Sequence, residues 1–366
     1  VKPGSMLDKE ARFRGNSVYF PDRVVPMLPE RISNDLCSLR EKEDRPALAC
    51  FMVFDKSGIK KSHRFARVIM RSAAKLSYEE AQAAIDGSPS AKAETLVEDV
   101  LKPLWAAYGA LVKARDRRGP LELDLPERKL VLDDKGHVLR VVTPLRLDAH
   151  RLIEEFMIQA NVAAAEELEA KKTPLLYRIH EQPSAEKVRA LAMFLKTVDL
   201  SLPLGQVMKP KHFNDLLREV KGKDYQNLVN DVVLRTQAQA IYSPGNKGHF
   251  GLALRRYAHF TSPIRRYADL IVHRALVSAL GIGQDGLSAD DVSRLAETAD
   301  MISDAERRAM AAERETTDRL IASHLAGQTG ALFRGRIGGV VGAGLFIKLN
   351  DSGADGFVPV ASLGSE

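Results

Sequence analysis

The sequence predicts an α+β chain: a large mixed domain over residues 1–327, then the opening strands of a small β-barrel over 328–366. Three observations carry this. Helix-period apolar spacing dominates the middle of the chain. Short β-branched and aromatic runs, broken by prolines, lie before it. At Gly330 the composition turns to glycine and β-branched residues, which places a domain boundary at 326–329.

The elements follow in order. SVYFP at 17–21 and ALACFMVFD at 47–55 read as strands, punctuated by Pro21, Pro26 and Pro29. Ser77-Tyr-Glu-Glu80 has the spacing of a capping box, and residues 91–115 carry apolar side chains three and four apart. Lys129–Val142 alternates around Asp133-Asp-Lys-Gly136, a hairpin signature. A helix begins near Asp148 and runs through LIEEFMIQANVAAAEELEA; further helices cover 184–197, 210–220 and 225–240. Ser288-Ala-Asp-Asp291 caps a last long helix reaching about His324 and stopping at Gly327. Beyond it, turns are expected at Gly338–Gly339 and Asp351–Gly353.

Composition bounds the function. With 366 residues and 45% hydrophobic content, the chain reads as a soluble globular protein. No run approaches the ~20 apolar residues of a membrane span, and no signal segment opens the chain. Cys37 and Cys50 are too few for a disulfide framework and lack metal-ligand spacing, so reduced thiols and a cytoplasmic location are expected. The net charge of +6 tilts weakly toward a polyanionic partner. The start at Val1 without an initiator Met, and the stop at Glu366 after an apolar run, suggest part of a longer product.

The densest chemistry lies in YAHFTSPIRRYADLIVHR, 257–274. Thr261-Ser-Pro263 is a bend. Pro263 is expected to open a helix, leaving free N–H groups for an anion, with Arg265 and Arg266 one turn inside. A guanidinium fork grips two phosphate oxygens. Tyr257, Phe260 and Tyr267 either stack bases or pack. The competing reading is an amphipathic helix whose arginines pair with acids. His249, in the glycine-bounded turn 246–251, is a structural histidine or a ligand. Tyr19, near Arg12 and Arg14, is a base-stacking platform or a core residue. Glu154 is expected to share a helix face with Ile158 and Asn161, suiting a ribose hydroxyl, an arginine or a solvated edge. Glu313 lies among Ala309, Ala311 and Ala312, where a partner group is able to approach closely.

At these residues the chain resembles the ribonuclease II and ribonuclease R family of exoribonucleases, the ribonuclease R branch more than ribonuclease II itself. The motifs are LDKEARFRGNSVYFPDRVVPMLPERISNDLCSL at 7–39, LIEEFMIQAN at 152–161 and YRIHEQPS at 177–184. QAIYSPGNKGHFGLAL at 239–254, the 257–274 run and AERRAMAAERE at 305–315 complete the set. The resemblance implies an RNB-type catalytic domain, incomplete at its N-terminus, followed by the start of an OB-fold RNA-binding domain. It implies processive 3′→5′ hydrolysis of single-stranded RNA to nucleoside 5′-monophosphates by a monomer that uses Mg²⁺. By motif, Tyr19 matches a tyrosine stacking on the terminal base and Glu154 a glutamate touching the terminal ribose. Arg265 matches the arginine on the scissile phosphate, and Glu313 a glutamate near the last nucleotides.

The chain departs from that pattern in one major respect. The family's D-x5-D-x-D-D metal cluster lies upstream of LDKEAR, so its ligands are expected upstream of Val1 and none in this chain. Asp133-Asp134 and Asp290-Asp291 are better explained by a turn and a helix cap. The chain alone is therefore expected to be inactive until the missing N-terminal segment is supplied; the alternative is a non-catalytic RNA-binding relative. Two smaller departures are leucines in the loop Leu121–Leu125, where a second aromatic clamp is frequent, and Ala343 beside the stacking candidates Phe346 and Phe357.

Overall fold

A computed structural model describes residues 1–123 and 128–364. Its spine is α5 (Asp148–Ala170). Ala160, Ala163, Ala164 and Ala165 are buried along it, and such short side chains let neighbours approach closely. Against that stripe packs α9 (Tyr267–Leu280) through Val272, Ala275 and Leu276, with Phe65 and Phe260 edge-to-face at 5.2 Å between ring centroids.

The N-terminal segment forms α1 (Met6–Arg14) and a small hairpin of β1 (Val18–Tyr19) and β2 (Val24–Val25). A long antiparallel ribbon follows, β3 (Asp44–Phe54) with β4 (Lys60–Arg71). Ser77 caps α2 (Tyr78–Ile85) with the reciprocal Glu80 bond expected from its spacing. The helical run after it is interrupted: α3 (Ala91–Glu94) gives way to a wider turn over Val97–Leu101 before α4 (Lys102–Arg118). Pro103 has no N–H to donate and is tolerated in the first turn of α4. Next come β5 (Lys129–Leu132) and β6 (Val138–Val142), paired as expected around the Asp133 turn. After α5, β7 (Tyr177–Ile179) leads to α6 (Ala185–Lys196), α7 (Pro210–Glu219) and α8 (Gln226–Thr236), which enclose their own core around Leu195, Phe213 and Val229. The chain returns as β8 (Ile241–Ser243), antiparallel to β7.

Two expectations are corrected toward the C-terminus. The last long helix is two helices, α10 (Ala289–Ser293) and α11 (Leu295–Ala326), divided where Arg294 takes φ −103 and ψ 15. Ser288 does cap α10, with Asp291 closing the box. Gly338–Gly339 is not a turn; it lies inside β9 (Gly335–Val341). Opposite, β10 (Gly344–Leu349) shifts register between Phe346 and Ile347, so Gly338 is the extra residue of a β-bulge, where a missing side chain is tolerated. The turn falls instead at Gly342–Ala343. β11 (Asp355–Pro359) pairs with β10 after the expected Asp351–Gly353 turn, making a three-stranded antiparallel sheet.

Candidate nucleic-acid interface

Backbone geometry places the Thr261–Arg266 segment first. Asn161, buried on α5, accepts the N–H groups of Phe260 and Thr261 on Oδ1 at 2.8 and 3.2 Å. Its Nδ2 donates to the Tyr257 hydroxyl at 2.9 Å. From α9, the fully buried Asp269 accepts the Ser262 N–H at 2.7 Å. The same carboxylate accepts two guanidinium N–H groups of Arg266, at 2.8 and 2.9 Å. His273 Nε2 donates to the Phe260 carbonyl at 2.8 Å.

This overturns the expected helix start at Pro263. Residues 263–265 form a turn, Arg266 is extended at φ −138 and ψ 125, and α9 begins only at Tyr267. The physical reason is a competing partner: Arg266 bridges antiparallel to Asn16, Ser17 N–H donates to the Arg265 carbonyl at 3.0 Å, and Tyr267 N–H donates to the Gly15 carbonyl at 2.8 Å. Those bonds close the turn at Arg265 and hold Arg266 extended as a single bridge residue.

Gly15 makes the approach possible. It sits at φ +73, and a Cβ there would lie 2.7 Å from the Ala305 Cβ on α11. The group admitted by the small residues of α11 is thus the chain's own N-terminal segment. Beyond Gly15, the exposed Tyr19 donates its backbone N–H to Glu313 Oε1 at 2.7 Å. Tyr19, Arg265 and Glu313 therefore share one neighbourhood, built from α1–β1, the 261–266 turn and α11.

The adjacent arginines have opposite fates. Arg266 is largely buried and committed to Asp269. Arg265 is half-buried, and its side chain has no hydrogen bond or ion pair among the described residues. A free guanidinium beside a pinned one is suited to an anion.

Glu154 does not join this group through any contact. It is exposed on the first turns of α5 and pairs with Arg146. Ile158 and Asn161 follow Glu154 one and two turns on along the same face, as expected, but both are buried while Glu154 is exposed; the buried carboxylate of the helix is Glu155. Glu155 lies 3.2 Å from Arg115 and 3.8 Å from Arg118. Burial raises its pKa against the pull of those arginines. Its neighbour Glu154 carries the same side chain, so periodicity alone had to choose between them. Asp269 was readable only as the residue three positions after Arg266.

The aromatic alternatives resolve to packing for Tyr257, Phe260 and Tyr267, which are all buried. The Tyr267 hydroxyl donates to Asp8 Oδ1 at 2.9 Å, and Arg274 donates to the same oxygen at 2.5 Å. His249 is structural. Its Nδ1 accepts the Leu252 N–H at 3.1 Å, and burial depresses its pKa to about 3. His259, within 2.9 Å of the Tyr242 hydroxyl, is held well below the usual range by burial and by Arg266 and Arg178. Both rings pack edge-on against Tyr257, at 5.3 Å for His249 and 5.5 Å for His259 between ring centroids.

No group of three or more His, Cys, Asp or Glu stands ready for a metal among the described residues. Asp133 is used by its turn, accepting the N–H groups of Lys135 and His137, and Asp291 by its cap. These residues do not fit a Mg²⁺ site, which takes converging oxygen ligands. No described helix is long and apolar enough to cross a membrane. Cys37 and Cys50 are both free thiols. The loop expected at Leu121–Leu125 lies partly outside the described residues; Leu121 and Leu123 pack against the α6–α8 core.

A family model described as the RNB domain matches residues 1–282. The chain belongs to the RNB domain family. This RNB chain is 40% identical to Ribonuclease R of Vibrio parahaemolyticus, over 100% of the chain and 45% of the relative. It is 42% identical to Ribonuclease R of Aquifex aeolicus, over 99% of the chain and 52% of the relative. It spans about half the length of the curated relatives it matches. Among solved structures, apo RNase R of Mycoplasma genitalium is similar with a TM-score of 0.94 and 28% identity, covering 100% of this chain and 58% of that one. A second structure of that protein, in complex with ribose methylated single-stranded RNA, matches equally. The yeast pseudonuclease Ssd1 shares the fold, at a TM-score of 0.75 and 22% identity over 98% of this chain and 44% of that one.

Proposed function

We propose that this RNB chain is the RNA-gripping part of a 3′→5′ exoribonuclease that degrades single-stranded RNA to nucleoside 5′-monophosphates. The observation that carries the reading is the unpaired Arg265 guanidinium, set beside a pinned Arg266 and next to Tyr19 and Glu313. The similarity to Ribonuclease R supports it.

In this reading Arg265 receives the scissile phosphate on its fork and offsets charge developing there. The exposed Tyr19 ring stacks on the terminal base, which aligns the 3′ end. Glu313 holds the Tyr19 backbone and lies near the last nucleotides. Glu154 exchanges Arg146 for a ribose hydroxyl, a contact that separates RNA from DNA. Residues 1–327 act as the catalytic-domain portion and 328–366 as the start of an OB-fold RNA-binding domain. There the exposed Phe346 and Phe357 face each other at 5.2 Å as a stacking surface. The whole enzyme takes Mg²⁺ to activate water. The described residues offer no ligand set for it, so their contribution is binding, orientation and charge.

The test is labelled single-stranded RNA mixed with the purified 366-residue chain in Mg²⁺. Binding without cleavage is expected, and cleavage on adding a segment that carries the family's aspartate cluster. Absence of RNA binding refutes the proposal. Binding that never becomes cleavage identifies a non-catalytic RNA-binding relative.

A further inference from the structure

We infer that Asp269 is a positioning residue: it fixes the Ser262–Arg266 turn so that Arg265 alone projects toward a phosphate. The inference rests on the role proposed above for Arg265.

Three features of the turn point to it. One planar, fully buried carboxylate spans the turn, accepting the Ser262 N–H at its start and the Arg266 fork at its end. The backbone between is closed on both sides. The Arg265 N–H donates to the Ser262 carbonyl at 3.2 Å, and the Arg265 carbonyl accepts Ser17 N–H at 3.0 Å. Asn161 holds the two preceding amides. The Cα of Arg265 is thus a fixed pivot, while its side chain stays uncommitted. With the Arg265 backbone already fixed, only its side chain is left to order when it engages an anion.

Charge makes the inference testable by sign. Asp269 is an anion close to a proposed phosphate site. Judged by Coulomb repulsion alone, removing its charge tightens RNA binding. If its function is to position Arg265, removing it weakens binding.

The experiment uses the 366-residue chain and a fluorescein-labelled oligouridylate, with anisotropy measured across a KCl series. The variants are Asp269→Asn, Arg265→Ala and their combination. Each single variant is expected to weaken binding on the order of tenfold and to flatten the salt slope by about 0.7, one phosphate contact on a single strand. The double variant is expected to bind no more weakly than Arg265→Ala. Affinity of Asp269→Asn equal to or tighter than the parent overturns the inference, as do losses that multiply in the double variant. Should Asp269→Asn fail to fold, Arg266→Lys keeps the charge pair but removes the fork, and the same criterion applies in combination with Arg265→Ala. If Arg265→Ala itself leaves affinity and slope unchanged, the phosphate-gripping reading falls, and the inference with it. An effect of Arg265→Ala without one of Asp269→Asn sinks the inference alone.

Discussion

Gly15→Ala tests how the N-terminal segment reaches the arginine turn. Gly15 holds φ +73 and ψ −44, outside even the left-handed helical well and open to little besides glycine. Placing a side chain there costs about 1–3 kcal/mol in backbone strain. A second cost is contact: the new Cβ meets the Ala305 Cβ at 2.7 Å, and crowding of that kind costs about 1–3 kcal/mol. The sum is ~2–6 kcal/mol, a large part of a domain's net stability. Because the Gly15 carbonyl accepts the Tyr267 N–H, the displacement also moves Arg265 relative to Tyr19, and RNA affinity should fall. Urea unfolding of Gly15→Ala, Ala305→Gly and the double variant separates the two costs. Ala305→Gly alone loses about 1 kcal/mol of helix propensity. In the double variant it should recover the contact part of the damage, giving a coupling of ~1–3 kcal/mol, while the backbone part persists. Stability of Gly15→Ala within about 0.5 kcal/mol of the parent, the range of an inert surface change, would refute the reasoning. So would zero coupling.

Other consequences follow from the same geometry. Arg266→Ala strands the buried Asp269 carboxylate and should cost about 3–5 kcal/mol in urea unfolding, whereas Arg265→Ala should stay within about 0.5 kcal/mol; equal effects would contradict the opposite fates of the pair. Burial depresses His180, His249, His259 and His273, so the unfolded chain binds more protons. The stability they contribute is complete above the unfolded value near 6.5 and is lost as pH falls, over a window reaching down to about 3 for His249. Each contributes a slope of at most about 1.4 kcal/mol per pH unit there, and unfolding free energies at pH 7, 6 and 5 that do not decline would exclude it. Burial raises the Cys50 thiol to about 11 while Cys37 is exposed, so iodoacetamide should label Cys37 alone in the native protein. Equal labelling rates would show that Cys50 is open to solvent.

Local features were legible from residue order. The Ser77–Glu80 box, the Ser288 cap, the Asp133 hairpin and the span of α5 each depend on neighbours within a few positions. The misread elements depend on distant partners. Pro263 has every local qualification to open a helix, yet Asn16 and Ser17 bond to the turn that follows it and hold Arg266 extended. Gly338–Gly339 has the composition of a turn, yet the register of β10 makes it a bulge.

The same division runs through the candidate site. By itself the sequence determined the residue types and the ordered motifs, because phosphate recognition calls for particular side chains at particular spacings. It also determined most helices, because capping and amphipathic spacing act within a turn or two. Only the tertiary structure decided which of two adjacent arginines is free, which of two adjacent glutamates is buried, and that Tyr19 meets Glu313. Chemically identical neighbours are separated only by what packs against them, and here those partners come from other elements of the fold.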